Sequence, residues 1–264
     1  MYISKDNFLI KKENRVFRLS FLASIGDRAD QQDSSGYELS EDGGTVVICD
    51  GMGGHNGGKL ASSFGVELFL ERVSAIGEDY ISYDLREIVQ DIDEEIASLT
   101  DKDGNPLRGG STLAAVYIKE RNLYWISVGD SRIYILRKDE FIQVTEDHTY
   151  ELALKENVKA GAITEQFYQE ELDKSDALIS FLGAGELPII SSNNDAFKLQ
   201  LDDRIVLMSD GLYKNMSDDE IKSIIVNSDN PVETLTSLDL NSSRNAHKQN
   251  VRRDNLTVAL IKIK

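Results

Sequence analysis

The chain has 264 residues, 41% of them apolar, which suffices for a sizeable core in one large domain or two small ones. Acidic residues outnumber basic ones 46 to 29, and the net charge of −17 excludes nucleic acid and anionic membrane as general partners. A lone cysteine excludes an internal disulfide, and three prolines with no low-complexity run or fixed-period repeat exclude linkers and repeat arrays.

The opening "MYISKDNFLIKKENRVFRLS" carries no signal-peptide core, and no apolar stretch reaches the roughly 20 residues of a membrane helix. A cytoplasmic protein is expected. "VFRLSFLASI" alternates, with Phe17, Leu19, Phe21, Ala23 and Ile25 on one face and Arg18, Ser20 and Ser24 on the other, as in a half-buried strand. "TVVIC" reads as a buried strand, in which Cys49 is a small core residue. From Gly58 to about Val73 the period changes, and Leu60, Phe64 and Leu68 recur as on a helix face. Leu85, Ile88, Val89, Ile92, Ile96 and Leu99 mark a second amphipathic helix.

Strands then return. "STLAAVYI" and "LYWISV" flank the turn "KERN", and "RIYILR" and "EFIQVT" flank "KD". Residues 146–195 read as an irregular insert or flap. "AFKLQL" alternates as a strand and "RIVLM" is a buried one. Ser217 and Glu220 form a capping box, Pro231 after Asn230 opens a last helix, and "NLTVALIKI" closes the chain as a strand. Hairpins dominate, and helices do not alternate with every strand. The expected fold is α+β, one or two antiparallel sheets covered by helices, in a single domain spanning 1–264.

Several apolar strands end at an aspartate. "TVVICDG" ends at Asp50-Gly51 and "RIVLMSDG" at Asp210-Gly211. Asp130 follows "LYWISVG", Asp254 precedes the closing strand, and Asp33 follows the first. One aspartate at a strand end is ordinarily a turn-maker. Several on rigid strand ends can converge, and converging carboxylates need a cation to offset their repulsion and burial. An all-oxygen set favours Mg²⁺ or Mn²⁺ over Zn²⁺.

"GGHNGGKL" nearly fits a nucleotide-binding phosphate loop. Leu60, however, stands where that loop needs a hydroxyl, and Asp50 would repel a bare phosphate. An ATP-hydrolysing enzyme would rest on Gly58-Lys59 alone.

Taken in order, "GDRADQQDS", "CDGMGGHNGG", "GGSTLAAVYI", "WISVGDSRIYILRKDEFIQVTEDH", "LDDRIVLMSDGLYKNMSDDEI" and "RDNLTVALI" resemble the metal-dependent serine/threonine protein phosphatases of type 2C, the PPM family, in their bacterial form. The resemblance runs from about Phe17 to the C-terminus. It implies a two-layer antiparallel β-sandwich with helix pairs outside, α-β-β-α. It also implies hydrolysis of phosphoserine and phosphothreonine by a hydroxide bridging two Mg²⁺ or Mn²⁺ ions. By motif match, Asp50 bridges both ions, Asp210 and Asp254 bind the first, the Gly51 carbonyl binds the second, and Asp33 holds metal-bound water. Asp130 matches an aspartate that supports a third, weaker ion with Asp210, and Arg28 matches the arginine that grips the substrate phosphate.

Two positions depart from the family pattern. Gln32 stands where some relatives carry a glutamate, and Met52 stands where many eukaryotic relatives carry a histidine proposed as general acid. His55 is the nearby histidine, and His148 matches a structural position. The implied partners are phosphorylated proteins and an opposing serine/threonine kinase, with the chain acting as a monomer. The alternative is a catalytically weak phosphatase-like signalling or binding module, which the retained aspartates disfavour.

Overall fold

The structure, a computed structural model, describes residues 1–3, 6–54, 57–76, 81–100 and 104–264. Six strands come first: β1 (Tyr2–Ile3), β2 (Phe8–Glu13), β3 (Phe17–Ser24), β4 (Ser34–Leu39), β5 (Gly43–Cys49) and β6 (Gly51–Met52). Helices α1 (Gly57–Val73) and α2 (Ile81–Ala97) follow. Then come β7 (Gly110–Ser111), β8 (Leu113–Lys119), β9 (Asn122–Val128), β10 (Arg132–Arg137) and β11 (Glu140–Gln143). Helices α3 (Tyr150–Lys159) and α4 (Glu165–Glu171) precede β12 (Ser191–Ser192), β13 (Phe197–Lys198) and β14 (Arg204–Met208). The chain closes with α5 (Asp210–Tyr213), α6 (Asp218–Val226), α7 (Pro231–Gln249) and β15 (Leu256–Ile263).

The long strands form two antiparallel sheets. One runs β1-β4-β5-β8-β9-β12, with β13 also on β9; the other runs β11-β10-β14-β15-β3-β2. Strand parity builds three cores from them. Val46 and Ile48 of β5 face inward with Val116, Ile205, Leu207 and Ile261, filling the space between the sheets. Their neighbours Val47 and Cys49 face outward and meet Phe69, Leu85, Val89 and Ile92 of α1 and α2. On the second sheet Val206, Met208 and Val258 face outward against Ile221, Ile225, Leu235 and Leu238 of α6 and α7. The layers are therefore α-β-β-α, as expected. Among the described residues, no helix is long and apolar enough to cross a membrane.

Three local expectations are corrected. β3 is buried on both faces rather than one: Leu22 lies in the core under α6 and α7, and Ser20 is also buried. In α1 the residues Leu60, Phe64 and Leu68 are only partly buried, and the deep face is Ala61, Val66, Phe69 and Val73 with Gly65. Small residues let that helix sit close on β5; a Cβ on Gly65 would stand 3.2 Å from Cys49 Sγ. Only Phe197–Lys198 of "AFKLQL" pairs as a strand, because Asp202 turns the chain at φ 66° just before β14.

The capping box of α6 is formed, and Asn230 Oδ1 accepts the Val232 N–H at 3.1 Å beside Pro231 at the start of α7. The stretch 146–195 is less irregular than its sequence reads. It holds α3 and α4, and two buried side chains anchor it. Asp93 of α2 accepts the N–H groups of Gly183, Ala184 and Gly185 at 2.7, 2.9 and 3.2 Å. His148 Nδ1 accepts the Gly129 N–H at 3.2 Å while Nε2 meets Ser191 Oγ at 2.8 Å. The acceptor role of Nδ1 fixes the neutral Nε2–H tautomer. His148 is thus structural, as its motif position implied.

Candidate active site

Register brings the aspartates to one end of the sandwich. Ser34, next to Asp33, pairs with Cys49, next to Asp50; Met208 of β14 pairs with Val258 of β15. Asp130 follows β9, whose Val128 pairs with Leu113. The first sheet therefore carries Asp33 and Asp50, the second carries Asp210 and Asp254, and Asp130 lies in the crossover from β9 to β10.

These carboxylates share one electrostatic field. Burial raises the Asp50 pKa well above the carboxylate range, and the charges of Asp33, Asp210, Asp130 and Asp254 add to the rise. Burial pushes Asp33 up to about 7; the nearby hydroxyls of Thr257 and Ser209 oppose the rise, and Asp210 and Asp254 add to it. Burial and then Asp210 push Asp130 up to about 6, against Lys214 and Tyr213. Such a field is unfavourable to ionised carboxylates and favourable to a cation.

Individual oxygens say the same. Ser209 Oγ donates to Asp33 Oδ2 at 2.8 Å, and Lys214 Nζ donates to Asp210 Oδ2 at 2.8 Å. The other oxygen of each, Asp33 Oδ1 and Asp210 Oδ1, is buried without a hydrogen-bond partner. Among the described residues, no three His, Cys, Asp or Glu side chains close into a ready ligand group. The chain's own cations hold two of the carboxylates: Lys214 takes Asp210, and Arg28 Nη2 takes Asp254 Oδ2 at 2.5 Å. Orphaned, buried, oxygen-only acceptors fit a hard divalent ion.

Main-chain contacts hold the frame. Asp50 N donates to Thr112 Oγ1 at 2.9 Å, Thr112 Oγ1 lies 2.7 Å from Ser131 Oγ, and Ser111 Oγ donates to the Asp50 carbonyl at 3.0 Å. Asn255 Nδ2 donates to the carbonyls of Ile25 and Asp30 at 2.9 and 3.1 Å, and its Oδ1 accepts the Gln32 N–H at 2.8 Å. That stitches the loop bearing Arg28 and Asp33 to Asp254. Gly51 is required by a close approach: a Cβ there would lie 2.3 Å from the Gly58 carbonyl oxygen and 2.5 Å from that of Gln32.

Thr112, Ser131, Ser209, Asn255, Tyr213 and Lys214 join the site without being marked by the strand-end aspartate pattern. All six lie inside the quoted motifs, so position within a motif is their available signal. Gln32 turns its amide to the Gly53 carbonyl at 3.3 Å. Met52, partly buried, pairs with Gly110. His55 lies outside the described residues. Burial drives the Cys49 thiol pKa far upward, consistent with a core role. At the start of α1, a Cβ on Gly57 would lie 2.6 Å from the Arg108 carbonyl oxygen, so main chain packs closely against that side of the helix.

Residues 23–245 match the protein phosphatase 2C family. The chain belongs to that family. It is 29% identical over 254 residues to protein phosphatase PhpP of Streptococcus pneumoniae, covering 92% of this chain and 96% of PhpP. It is 27% identical over 205 residues to serine/threonine phosphatase stp of Listeria monocytogenes, covering 75% of this chain and 78% of stp. The fold of this phosphatase 2C chain superposes on the S. agalactiae serine/threonine phosphatase with a TM-score of 0.76 at 25% identity, over 94% of this chain and all of that one. It also resembles the catalytic domain of the serine/threonine protein phosphatase PstP in complex with two manganese ions, with a TM-score of 0.69 at 26% identity over 94% of this chain and 98% of that one.

Proposed function

We propose that this chain is a metal-dependent protein phosphatase that hydrolyses phosphoserine and phosphothreonine in other proteins. The observation that carries the reading is the pair of orphaned oxygens, Asp33 Oδ1 and Asp210 Oδ1, buried in the field that also raises Asp50. The manganese-bound PstP relative supports two divalent ions, Mn²⁺ or Mg²⁺. Asp50 would be shared between them, with Asp210 and Asp254 at the first, the Gly51 carbonyl at the second, and Asp33 reaching through water. Bound there, the ions would supply an activated water and offset charge on the phosphoryl oxygens.

The remaining work falls to the chain's residues. Arg28, half-exposed and braced on Asp254, holds the substrate phosphate with its planar donor fork. Thr112 and Asn255 fix the main chain on which Asp50 and Asp33 stand. Met52 has no proton to give, so the leaving serine or threonine oxygen takes its proton from elsewhere in the site. In this reading, 1–264 is one phosphatase domain and 146–195 is its flap. The chain acts as a cytoplasmic monomer opposing a serine/threonine kinase.

The test is cleavage of a phosphothreonine peptide by the purified protein with Mn²⁺ or Mg²⁺. Turnover that disappears in EDTA and in Asp210→Asn, with the fold kept, is expected. No turnover with either ion across several phosphopeptides would sink the reading.

A further inference from the structure

Asp130 and Asp210 form the pair that the family resemblance links to a third ion. In this chain, two consecutive residues at the end of α5 already serve both carboxylates. Lys214 Nζ donates to Asp210 Oδ2 at 2.8 Å, four residues along the chain. Tyr213 Oη lies 3.1 Å from both the Asp130 carbonyl and Asp130 Oδ2.

Neither donor hangs loosely. The Arg132 guanidinium carbon sits 3.6 Å above the Tyr213 ring, and Arg132 is itself forked onto Asp147, with Nη2 at 2.6 Å and Nε at 3.0 Å. Lys214 starts from the residue whose N–H bonds the Asp210 carbonyl at 3.0 Å, and its ammonium also stands 3.9 Å from Asp176 of the flap. The lysine takes only Oδ2 of Asp210 and leaves Oδ1 buried and unpartnered. Asp210 therefore keeps one oxygen turned to the chain's own cation and one available to an ion of the main pair.

We propose that Lys214 is a built-in cation at the Asp130–Asp210 pair, and that its ammonium, with the Tyr213 hydroxyl, takes the place of a third divalent ion. The proposal rests on the two-ion phosphatase reading. It makes Lys214 a positioning residue, acting through Asp210 and tying the flap to the site at Asp176. A divalent ion entering between Asp130 and Asp210 must either displace the ammonium or stand against a like charge within the same carboxylate's reach.

Counting bound Mn²⁺ on the metal-free protein, from the electron paramagnetic resonance signal of free Mn²⁺, tests this without reference to turnover. Wild type is expected to take two ions and no third up to millimolar Mn²⁺. Lys214→Met, close in shape and uncharged, is expected to bind a third at least tenfold more tightly than wild type. Adding Asp130→Asn to it should abolish that ion, while Lys214→Arg should stay at two. A third ion on wild type that Asp130→Asn removes would overturn the proposal, as would a Lys214→Met count fixed at two. A wild type that takes up fewer than two ions would instead overturn the two-ion reading beneath it. Two ions bound without phosphopeptide turnover would count against the enzymatic reading and leave the role of Lys214 standing.

Discussion

Thr112 holds Asp50 by its main chain: the Asp50 N–H meets Thr112 Oγ1 at 2.9 Å, and the same hydroxyl lies 2.7 Å from Ser131. Thr112→Ala leaves a largely enclosed N–H without its acceptor, at a cost of about 1–3 kcal/mol in urea unfolding. Because Asp50 would shift, turnover of a phosphopeptide should drop at least about tenfold, or about 1.4 kcal/mol of barrier. Thr112→Ser, which keeps the hydroxyl, should recover most of both. Equal losses in the two variants would mean that the methyl group, not the hydrogen bond, does the holding.

Metal-free protein should be relieved by losing a carboxylate. Asp33 has its folded pKa raised from 3.8 to about 7, so between those values the folded state binds more protons than the unfolded one. Its contribution to stability is present at low pH and is lost as pH rises towards 7. In EDTA at pH 7.5, Asp33→Asn should therefore be more stable than wild type by on the order of 2 kcal/mol, or roughly 5 °C in melting temperature. At pH 4 the advantage should vanish. Melting below wild type in EDTA at pH 7.5 would refute the sign.

The opposite sign applies at His148. Burial lowers its folded pKa from 6.5 to about 4, against the opposing charge of Asp147, and protonation would also turn the Nδ1 acceptor of the Gly129 N–H into a second donor. Between those values the unfolded state binds more protons, so this contribution is full above pH 6.5 and lost as pH falls towards 4. The stability difference between wild type and His148→Gln should shrink by about 2 kcal/mol between pH 7.5 and pH 5. Taking the difference cancels the aspartates, which pull the other way. A difference constant over that range would exclude the mechanism.

Asp93 is the anchor of the segment after α4. Asp93→Ala strands the three N–H groups of Gly183, Ala184 and Gly185 and should cost about 3 kcal/mol. Hydrogen exchange should rise first at those three amides. Unchanged exchange there would show that neighbouring packing, rather than the carboxylate, orders the segment.

Much of this was legible in the chain. Val46 and Ile48 alternate with Val47 and Cys49 because each strand of the sandwich serves two cores, and the apolar run of β5 announces both. The aspartates stood out because each follows or precedes such a run. β2 and β4 escaped notice for physical reasons: "FLIKKE" is an edge strand with mostly polar exposure, and "SSGYEL" gains its burial from neighbours on both faces. The deep face of α1 was misplaced because close packing there uses Gly65 and Ala61, which carry almost no hydropathy signal. The anchors of 146–195 were invisible because a backbone turn and a distant carboxylate, Asp93, recognise one another only after folding. Lys214 gives no signal of its own, because an exposed lysine four residues from an aspartate is ordinary in sequence; its meaning comes from which aspartate it reaches.

Asp33 and Asp50 are delivered by one sheet, and Asp210 and Asp254 by the other. The gap between the two groups is therefore set by neither sheet alone but by the thickness of the side chains between them. Ile48, Leu207 and Ile261 act as spacers for that gap, although none carries a polar atom on its side chain. Protein interiors are packed too densely to absorb a changed spacer without moving a wall. Trimming one of them by a methylene would reset the distance across the mouth of the sandwich, so a purely apolar substitution at its centre should be read out as altered ion affinity at its end.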